Sequence, residues 1–246
     1  MNKAKAKQIV SKWTFPTERS SYMGGIEERP ILVKSQDRTV PDINGKEHLD
    51  FQSGQMGAAI SHQHPRMVAV IEKTLKTMMH STNVMLNARR LRLHERLGKL
   101  LPKPLQRSLF LVSGSDFIEG AVDLARKATG GIDVLGMHAG LHGSTSYLTR
   151  SLSFNLDRHR HSVVAPYCYR CLLKLKFPSC DIQCLTTSLE LADANFTSKP
   201  AAFIGEPIIS AGGVIVPPEG FFKRVQEARH ERGMLMDTGR GSDRPG

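Results

Sequence analysis

Aromatic residues are scarce in this chain: they make up 6% of its 246 residues and include a single Trp. Proteins that bind nucleic acid usually concentrate basic residues on one face and interleave aromatic side chains among them. The formal net charge here is +11, but lysines and arginines are mixed with acidic residues from end to end. We therefore expect no nucleic-acid partner. A basic nucleic-acid-binding module is kept only as a minor alternative to the function derived below.

Long apolar runs are also missing, because no stretch approaches the ~20 consecutive apolar residues that cross a bilayer. We therefore expect no membrane-spanning segment. The first thirteen residues carry four lysines and no acid, but they lack the apolar centre of a secretory signal. They also lack the Arg that is common in mitochondrial presequences. A solvated basic terminus on a cytoplasmic protein is the expectation, with a mitochondrial location as the alternative.

Cysteine is confined to one short stretch. The four cysteines of the sequence are Cys168, Cys171, Cys180 and Cys184, with the spacing C-x2-C-x8-C-x3-C. Four thiolates can close a tetrahedral zinc site, so zinc is one reading of this spacing. Reduced cysteines packed in a loop or core are the other, and without a secretory signal disulfides are not expected. Both readings stay open, and no metal ligand is assigned.

The stretch from Ala201 to Gly220 is predicted to lie at the centre of the fold. The apolar residues Ala201 to Ile204 are typical of a buried parallel strand, and Glu206 follows at once. Ligands of α/β proteins bind beyond the carboxyl ends of such strands, so Glu206 is a candidate site residue. A helix cap or a surface ion pair is the alternative for a single acid.

A second candidate site surrounds Ser113. Residues 109–112 form a short apolar run that predicts a strand, and residues 118–129 have the periodicity of a helix. Small residues between a strand and a helix form an anion site, because free N–H groups and the positive end of the helix dipole point the same way. The alternative is a plain helix cap by Ser113 or Ser115, with Asp116 matching the dipole.

The alternation of strands and helices predicts an α/β fold: a mainly parallel sheet flanked by helices, preceded by a small N-terminal α+β segment. Another strand is predicted over Asp133 to Met137, and it leads to a loop with His142 and Gly143. The loops of Ser113, His142 and Glu206 should then converge at one sheet edge. We expect an N-terminal arm and small segment over residues 1–60, a large domain over 61–237, and an irregular tail over 238–246.

Other elements are predicted from turn and helix signals. Short strands near residues 31–33 and 49 are expected to join through the Asn44-Gly45 turn, and residues 53–57 to form a tight loop. His64-Pro65 should open a helix whose stripe of Val68, Ile71 and Leu75 is buried. Further helices are predicted over residues 86–101 and 221–232. A last strand is predicted over residues 234–236, and Asp237 follows it directly. Residues 149–200 show no clear pattern.

Together these motifs resemble the class III pyridoxal-phosphate-dependent aminotransferases of fold type I, and most of all 2,2-dialkylglycine decarboxylase and its aminotransferase relatives. The matching segments follow in order between about residues 31 and 237. They are LDFQSGQM at Leu49–Met56, the helix opened by His-Pro, SGS at Ser113–Ser115, His142-Gly143, and AAFIGEPIISAGGVIVPPEG from Ala201.

The resemblance implies pyridoxal 5'-phosphate as the cofactor, with its phosphate held at the SGS segment. It also implies that Asp237 forms an ion pair with the pyridine nitrogen, which keeps the ring protonated as an electron acceptor. The residues implied at the cofactor are Ser113, Gly114, Ser115, His142, Gly143 and Asp237. Gln55, Met56 and Glu206 are implied near the substrate, an amino acid or a 2-oxo acid, in a homodimer.

The sequence also departs from the family pattern. Leu141 stands where an aromatic residue usually stacks on the cofactor, and Ile118 replaces an Asn. The family's Schiff-base lysine lies beyond the position of Asp237, whereas no lysine follows Lys223 here. We therefore expect a C-terminally truncated chain that is inactive by itself. The alternative is a truncated product or pseudoenzyme that binds a partner subunit.

Overall fold

The computed structural model describes residues 2–13, 29–82, 84–103, 105, 107–143 and 160–237. The chain divides into two compact units, residues 1–101 and residues 102–246, and each is described by itself. The described helices are α1 (Lys3–Trp13), α2 (Ser53–Met56), α3 (Pro65–Leu75), α4 (Ala88–Leu100), α5 (Gly114–Thr129), α6 (Gln183–Asn195) and α7 (Phe221–Arg232). The strands are β1 (Thr39–Pro41), β2 (Glu47–Leu49), β3 (Asp133–Met137), β4 (Arg160–Val163), β5 (Pro200–Ile204) and β6 (Leu235–Asp237). None of these helices is long and apolar enough to span a membrane.

The first unit contains the predicted hairpin. β1 and β2 pair antiparallel, with Thr39 opposite Leu49. Asp42 orders the turn between them, since its Oδ1 accepts the backbone N–H groups of Asn44 at 2.8 Å and Lys46 at 3.1 Å. The predicted Asn-Gly turn is therefore confirmed. The strand expected near residues 31–33 is reduced to a single bridge between Leu32 and Asp42.

The helices of the first unit start near their predicted positions. The helix α3 begins at Pro65, and the ring of His64 accepts the N–H of Arg66 at 3.3 Å as its cap. The predicted burial of its apolar stripe is wrong, because Val68, Ile71 and Leu75 are 38% to 58% exposed. Leu91, Leu93 and Leu100 of α4 are exposed in the same way, whereas Leu97 is half-buried. Periodicity identifies an apolar face, but it does not supply the element that would cover it.

The segment 53–57, expected to be a tight loop, contains the short helix α2 instead. Its C-terminal residue Met56 has a φ of 67° and is 58% exposed.

The second unit is built on a parallel sheet in the order β4-β3-β5-β6. Every pairing in it is parallel, with Val134 beside Arg160 and Ala202, and Ile204 beside Asp237. The predicted α/β fold with a parallel sheet flanked by helices is thus confirmed.

Helices cover both faces of this sheet. On one face, Ile118 and Val122 of α5 pack with Val134 and Ile204. Successive strand residues point to opposite faces, so Leu135 and Phe203 lie on the other side. There they form the larger core with residues of α6 and α7, namely Leu185, Ala192, Phe221 and Val225.

One part of the second unit differs from the prediction, and another part had no prediction. Residues 109–112 form no strand, and Val112 is 97% exposed, because the described sheet offers this apolar run no neighbour. Within residues 149–200, the structure contains β4, a 3₁₀ turn at Cys168–Arg170, and α6. The sequence did not reveal β4 because its middle residues, His161 and Ser162, are polar. Tertiary pairing with β3 makes this segment a strand.

Candidate functional site

The N-terminus of α5 is organised by Ser113. Its Oγ accepts the backbone N–H of Asp116 at 3.2 Å and donates to Asp116 Oδ2 at 2.7 Å. Its carbonyl accepts the N–H of Phe117 at 3.0 Å. Ser113 is therefore the N-cap, and the helix begins at Gly114, four residues before the predicted start. The predicted cap by Ser113 is confirmed.

The same helix end also suits a phosphate group. The helix has 16 residues, so the N–H groups of its first turn carry the positive end of a full helix dipole. A Cβ atom added at Gly114 would meet no atom within 4 Å, which shows open space beside the first turn. A bound phosphate would be held by backbone N–H groups there while Ser113 keeps its capping role. The residues present fit the phosphate of a cofactor.

The direction of α5 places this end at the carboxyl edge of the sheet. At the other end of the helix, the carbonyl of Thr129 accepts Lys199 Nζ at 3.0 Å, immediately before β5 begins. A helix of 16 residues is about 24 Å long, and a five-residue strand is about 17 Å. Ser113 therefore lies at or beyond the carboxyl end of β5.

Asp237 lies at that same edge. It is the last residue of β6, and its register partner is Ile204, the last residue of β5. Ile204 in turn packs in one cluster with Ile118, in the first half of α5. Ser113 and Asp237, the two predicted cofactor positions, therefore lie at the same edge of the sheet. Ile118, near the start of α5, shares a cluster with Ile204, and Ile204 is the register partner of Asp237. The side chain of Asp237 lies outside the described residues.

Glu206 joins two loops at this edge. It is 2% exposed, and its Oε1 accepts the backbone N–H of Leu141 at 2.6 Å. Its Oε2 accepts the N–H of Ser210 at 3.0 Å. The loops after β3 and β5 therefore converge, as the sequence predicted. Both oxygens of Glu206 stabilise the loops, and its role beside a substrate stays a prediction.

His142 lies inside the loop that Glu206 holds. Its ring is 1% exposed and packs against Gly140, where an added Cβ would lie 2.7 Å from His142 Nε2. The pKa of His142 is lowered from 6.5 to about 4, chiefly by burial and next by the positive charge of Arg160, while a backbone hydrogen bond with Met137 opposes this shift. The imidazole is therefore neutral at pH 7. Its predicted contact with a cofactor, like that of the half-buried Gly143, stays a prediction.

Arg160 was not identified from the sequence as a site residue. It is the first residue of β4 and is 9% exposed, and burial lowers the pKa of its guanidinium to about 10. Little in the sequence indicated its burial, because Arg160 lies in a stretch without clear periodicity.

The predicted substrate residues Gln55 and Met56 belong to α2 in the first unit. The side chain of Gln55 lies outside the described residues. Both assignments stay predictions.

A sequence model of class III aminotransferases matches residues 26–237 of this chain. The chain belongs to the class III aminotransferase family. Pyridoxal 5'-phosphate, the cofactor expected from the sequence, is the cofactor of this family.

Individual relatives agree with this membership. The chain is 31% identical over 237 residues to the "Uncharacterized aminotransferase C1039.07c" of Schizosaccharomyces pombe, covering 92% of this chain and 52% of that protein. It is 30% identical to a leucine/methionine racemase of Thermococcus litoralis, covering 84% of this chain and 49% of the other. The chain thus spans about half the length of these curated relatives.

A solved structure shows the shared fold. The chain is similar to taurine:2-oxoglutarate aminotransferase from Bifidobacterium kashiwanohense, solved in complex with PLP and glutamate, with a TM-score of 0.76 and 21% identity. The match covers 96% of this chain and 55% of that one. The fold of the second unit is therefore that of class III aminotransferases.

Proposed function

We propose that this chain supplies the phosphate-binding and ring-nitrogen-binding side of a pyridoxal-phosphate site for amino-group transfer between amino acids and 2-oxo acids. The observation that carries the proposal is the placement of the α5 N-terminus and Asp237 at one sheet edge, connected through Ile118 and Ile204. The family match supports the reaction class.

Each residue has a distinct role in this proposal. The N–H groups of Gly114 and Ser115 bind the phosphate, and Ser113 keeps the helix start in place. The carboxylate of Asp237 holds a proton on the ring nitrogen. The bound cofactor supplies an electron sink for the carbanion that forms at the substrate α-carbon. Glu206 joins the Leu141 loop to the loop of Ser210, because its two oxygens accept one backbone N–H from each.

Amino-group transfer also needs a lysine that binds the cofactor covalently and moves the α-proton. The last lysine of the sequence, Lys223, is an exposed residue of α7. We therefore propose that the 246-residue polypeptide assayed by itself shows little or no turnover. We also propose that the intact protein forms a homodimer. We propose further that its reaction resembles that of 2,2-dialkylglycine decarboxylase.

Cofactor binding is tested with pyridoxamine 5'-phosphate, which cannot form imines with surface lysines. We expect it to bind the purified chain at least about tenfold more tightly than pyridoxamine, since a charge-assisted phosphate contact contributes about 1.5–3 kcal/mol. Gly114→Asp should abolish this preference, because it places a negative charge at the phosphate position while still suiting a helix N-terminus.

Gln183→Asp is the matched control, because it places the same acid at the first residue of another helix, α6. It should leave binding unchanged. Equal affinity for pyridoxamine and its phosphate, or wild-type binding by Gly114→Asp, would contradict the proposed site.

Activity is tested separately by incubating the chain and pyridoxal 5'-phosphate with pyruvate and either alanine or 2-aminoisobutyrate. Release of CO₂ from 2-aminoisobutyrate would report decarboxylation, and exchange with labelled alanine would report transamination. We expect neither reaction from the polypeptide alone. Sustained turnover would refute the proposed inactivity without affecting the binding test.

A further inference from the structure

The four cysteines of the sequence line one cavity in the second unit. The cavity lies in the segment that leads from β4 to α6, and its other walls include Phe177, Ile182 and Pro218. Its volume is about 20 Å³, which is room for about one water-sized sphere. The fold thus brings all four thiols of the sequence to the wall of one small space.

The backbone around the cysteines is ordered by turns. Cys168 opens the 3₁₀ turn, and the N–H of Lys174 bonds to the carbonyl of Cys171 at 3.0 Å. The N–H of Gln183 bonds to the carbonyl of Cys180 at 3.0 Å, and Cys184 is in the first turn of α6. A C-x2-C pair at a turn, combined with a second pair at the start of a helix, is an arrangement that suits structural zinc sites.

The sulfur atoms also interact electrostatically. Cys168 interacts in this way with Cys180 and Cys171. Cys184 interacts with all three of the other cysteines. Four ionised thiols without a cation would repel one another. A divalent cation reverses this balance, because a coordinated thiol is deprotonated outright.

We propose that Cys168, Cys171, Cys180 and Cys184 bind one Zn²⁺ as four thiolates in a structural site. Binding forms four Zn–S bonds and releases the four thiol protons to solvent. The bound ion would fasten the segment between β4 and α6.

Binding requires the thiols to turn inward. Among the described side chains, no group of three or more His, Cys, Asp or Glu residues is already arranged around a metal position. The thiol of Cys168, for example, points to the carbonyl of Pro166 at 3.9 Å. Rotation about a single Cα–Cβ bond redirects each sulfur, and the cavity between them provides the space.

The test uses the whole chain, purified under reducing conditions, stripped with a chelator and reloaded with Zn²⁺ or Co²⁺. After dialysis we expect about one zinc per chain by mass spectrometry of the metal, consistent with four-coordinate sites. The Co²⁺ form should show the charge-transfer and d–d absorption of tetrahedral cobalt thiolate. Cys171→Ser and Cys180→Ser should each lose the cobalt–thiolate spectrum or weaken zinc retention at least about tenfold.

Two controls separate thiol binding from other binding. Ser179→Ala, next to Cys180, should retain the wild-type zinc content. The variant with all four cysteines changed to Ser measures binding by the ten histidines of the chain. The proposal is overturned by equal zinc retention in this variant and the wild type. It is also overturned if the reduced wild-type chain shows no cobalt–thiolate absorption, a measurement that does not depend on whether any variant folds.

Discussion

The backbone N–H of Leu141 donates to Oε1 of the buried Glu206 at 2.6 Å, although the two residues are 65 positions apart in the chain. Through the second oxygen, Glu206 also accepts the N–H of Ser210. The acid at the carboxyl end of β5 thereby fixes two loops at the candidate site. A carboxylate that accepts two backbone N–H groups makes charge-assisted bonds, which are stronger than neutral ones.

Replacing Glu206 by Gln should destabilise the chain. The amide retains one acceptor oxygen but turns an NH₂ group toward one of the two backbone donors, which leaves a buried donor unsatisfied. We expect a loss of about 1–3 kcal/mol in the free energy of unfolding, measured with urea. The exposed Glu219 offers a control, because Glu219→Gln should change stability by less than about 0.5 kcal/mol. Equal effects of the two substitutions would show that the loop contacts contribute little.

His142 should make stability depend on pH. Its pKa is lowered from 6.5 to about 4 in the folded chain, chiefly by burial. Between these values the unfolded chain binds more protons than the folded chain, so stability falls as the pH decreases from about 6.5 to about 4. The full contribution is about 3 kcal/mol, at 1.36 kcal/mol per pKa unit.

Urea unfolding of the wild type and His142→Asn across this pH range measures the effect. The difference between their free energies of unfolding should shrink as the pH falls, whatever the substitution costs at pH 7. His138→Asn, in the same loop but exposed, controls for the loss of an imidazole. Parallel pH profiles for the wild type and His142→Asn would contradict the burial argument.

Gly131 should not tolerate a side chain. An added Cβ would lie 2.9 Å from both the carbonyl carbon and oxygen of Pro200, which belong to the backbone of β5. We expect Gly131→Ala to cost about 1–3 kcal/mol, as overpacking does elsewhere. Gly114→Ala is the control, since an added Cβ there meets nothing within 4 Å. Chemical denaturation of both variants tests this, and a neutral Gly131→Ala would be the unexpected result.

Ser113 should contribute to stability mainly through its cap. Ser113→Ala removes the acceptor for the Asp116 N–H and should cost about 1 kcal/mol, whereas Ser113→Gly should cost only a few tenths. Both variants should retain most of the affinity for pyridoxamine 5'-phosphate, because the proposed phosphate ligands are backbone N–H groups. Calorimetric titration and thermal unfolding separate the two roles. A complete loss of binding in Ser113→Gly would instead identify the hydroxyl as a direct ligand.

Elements with strong local signals were predicted well from the sequence. The helix α7 has its predicted bounds, because Gly220 and Gly233 flank it with φ values of 81° and 64° that interrupt a helix. The strand β5 is one residue longer than predicted, starting at Pro200. By contrast, the apolar run at residues 109–112 is no strand, since a strand also requires a neighbour with which to pair.

The sequence by itself predicted the family, the cofactor of that family and the parallel α/β fold, because each is carried by short motifs whose order along the chain is visible without their tertiary neighbours. The structure decided that Ser113, and not Ser115, caps the helix. Only the tertiary structure decided that Glu206 binds the N–H of Leu141 and that the His142 ring is buried and neutral. It also decided that four cysteines share one cavity. The physical reason is that burial, long-range hydrogen bonds and cavities arise from segments that meet only when the sheet and its helices pack.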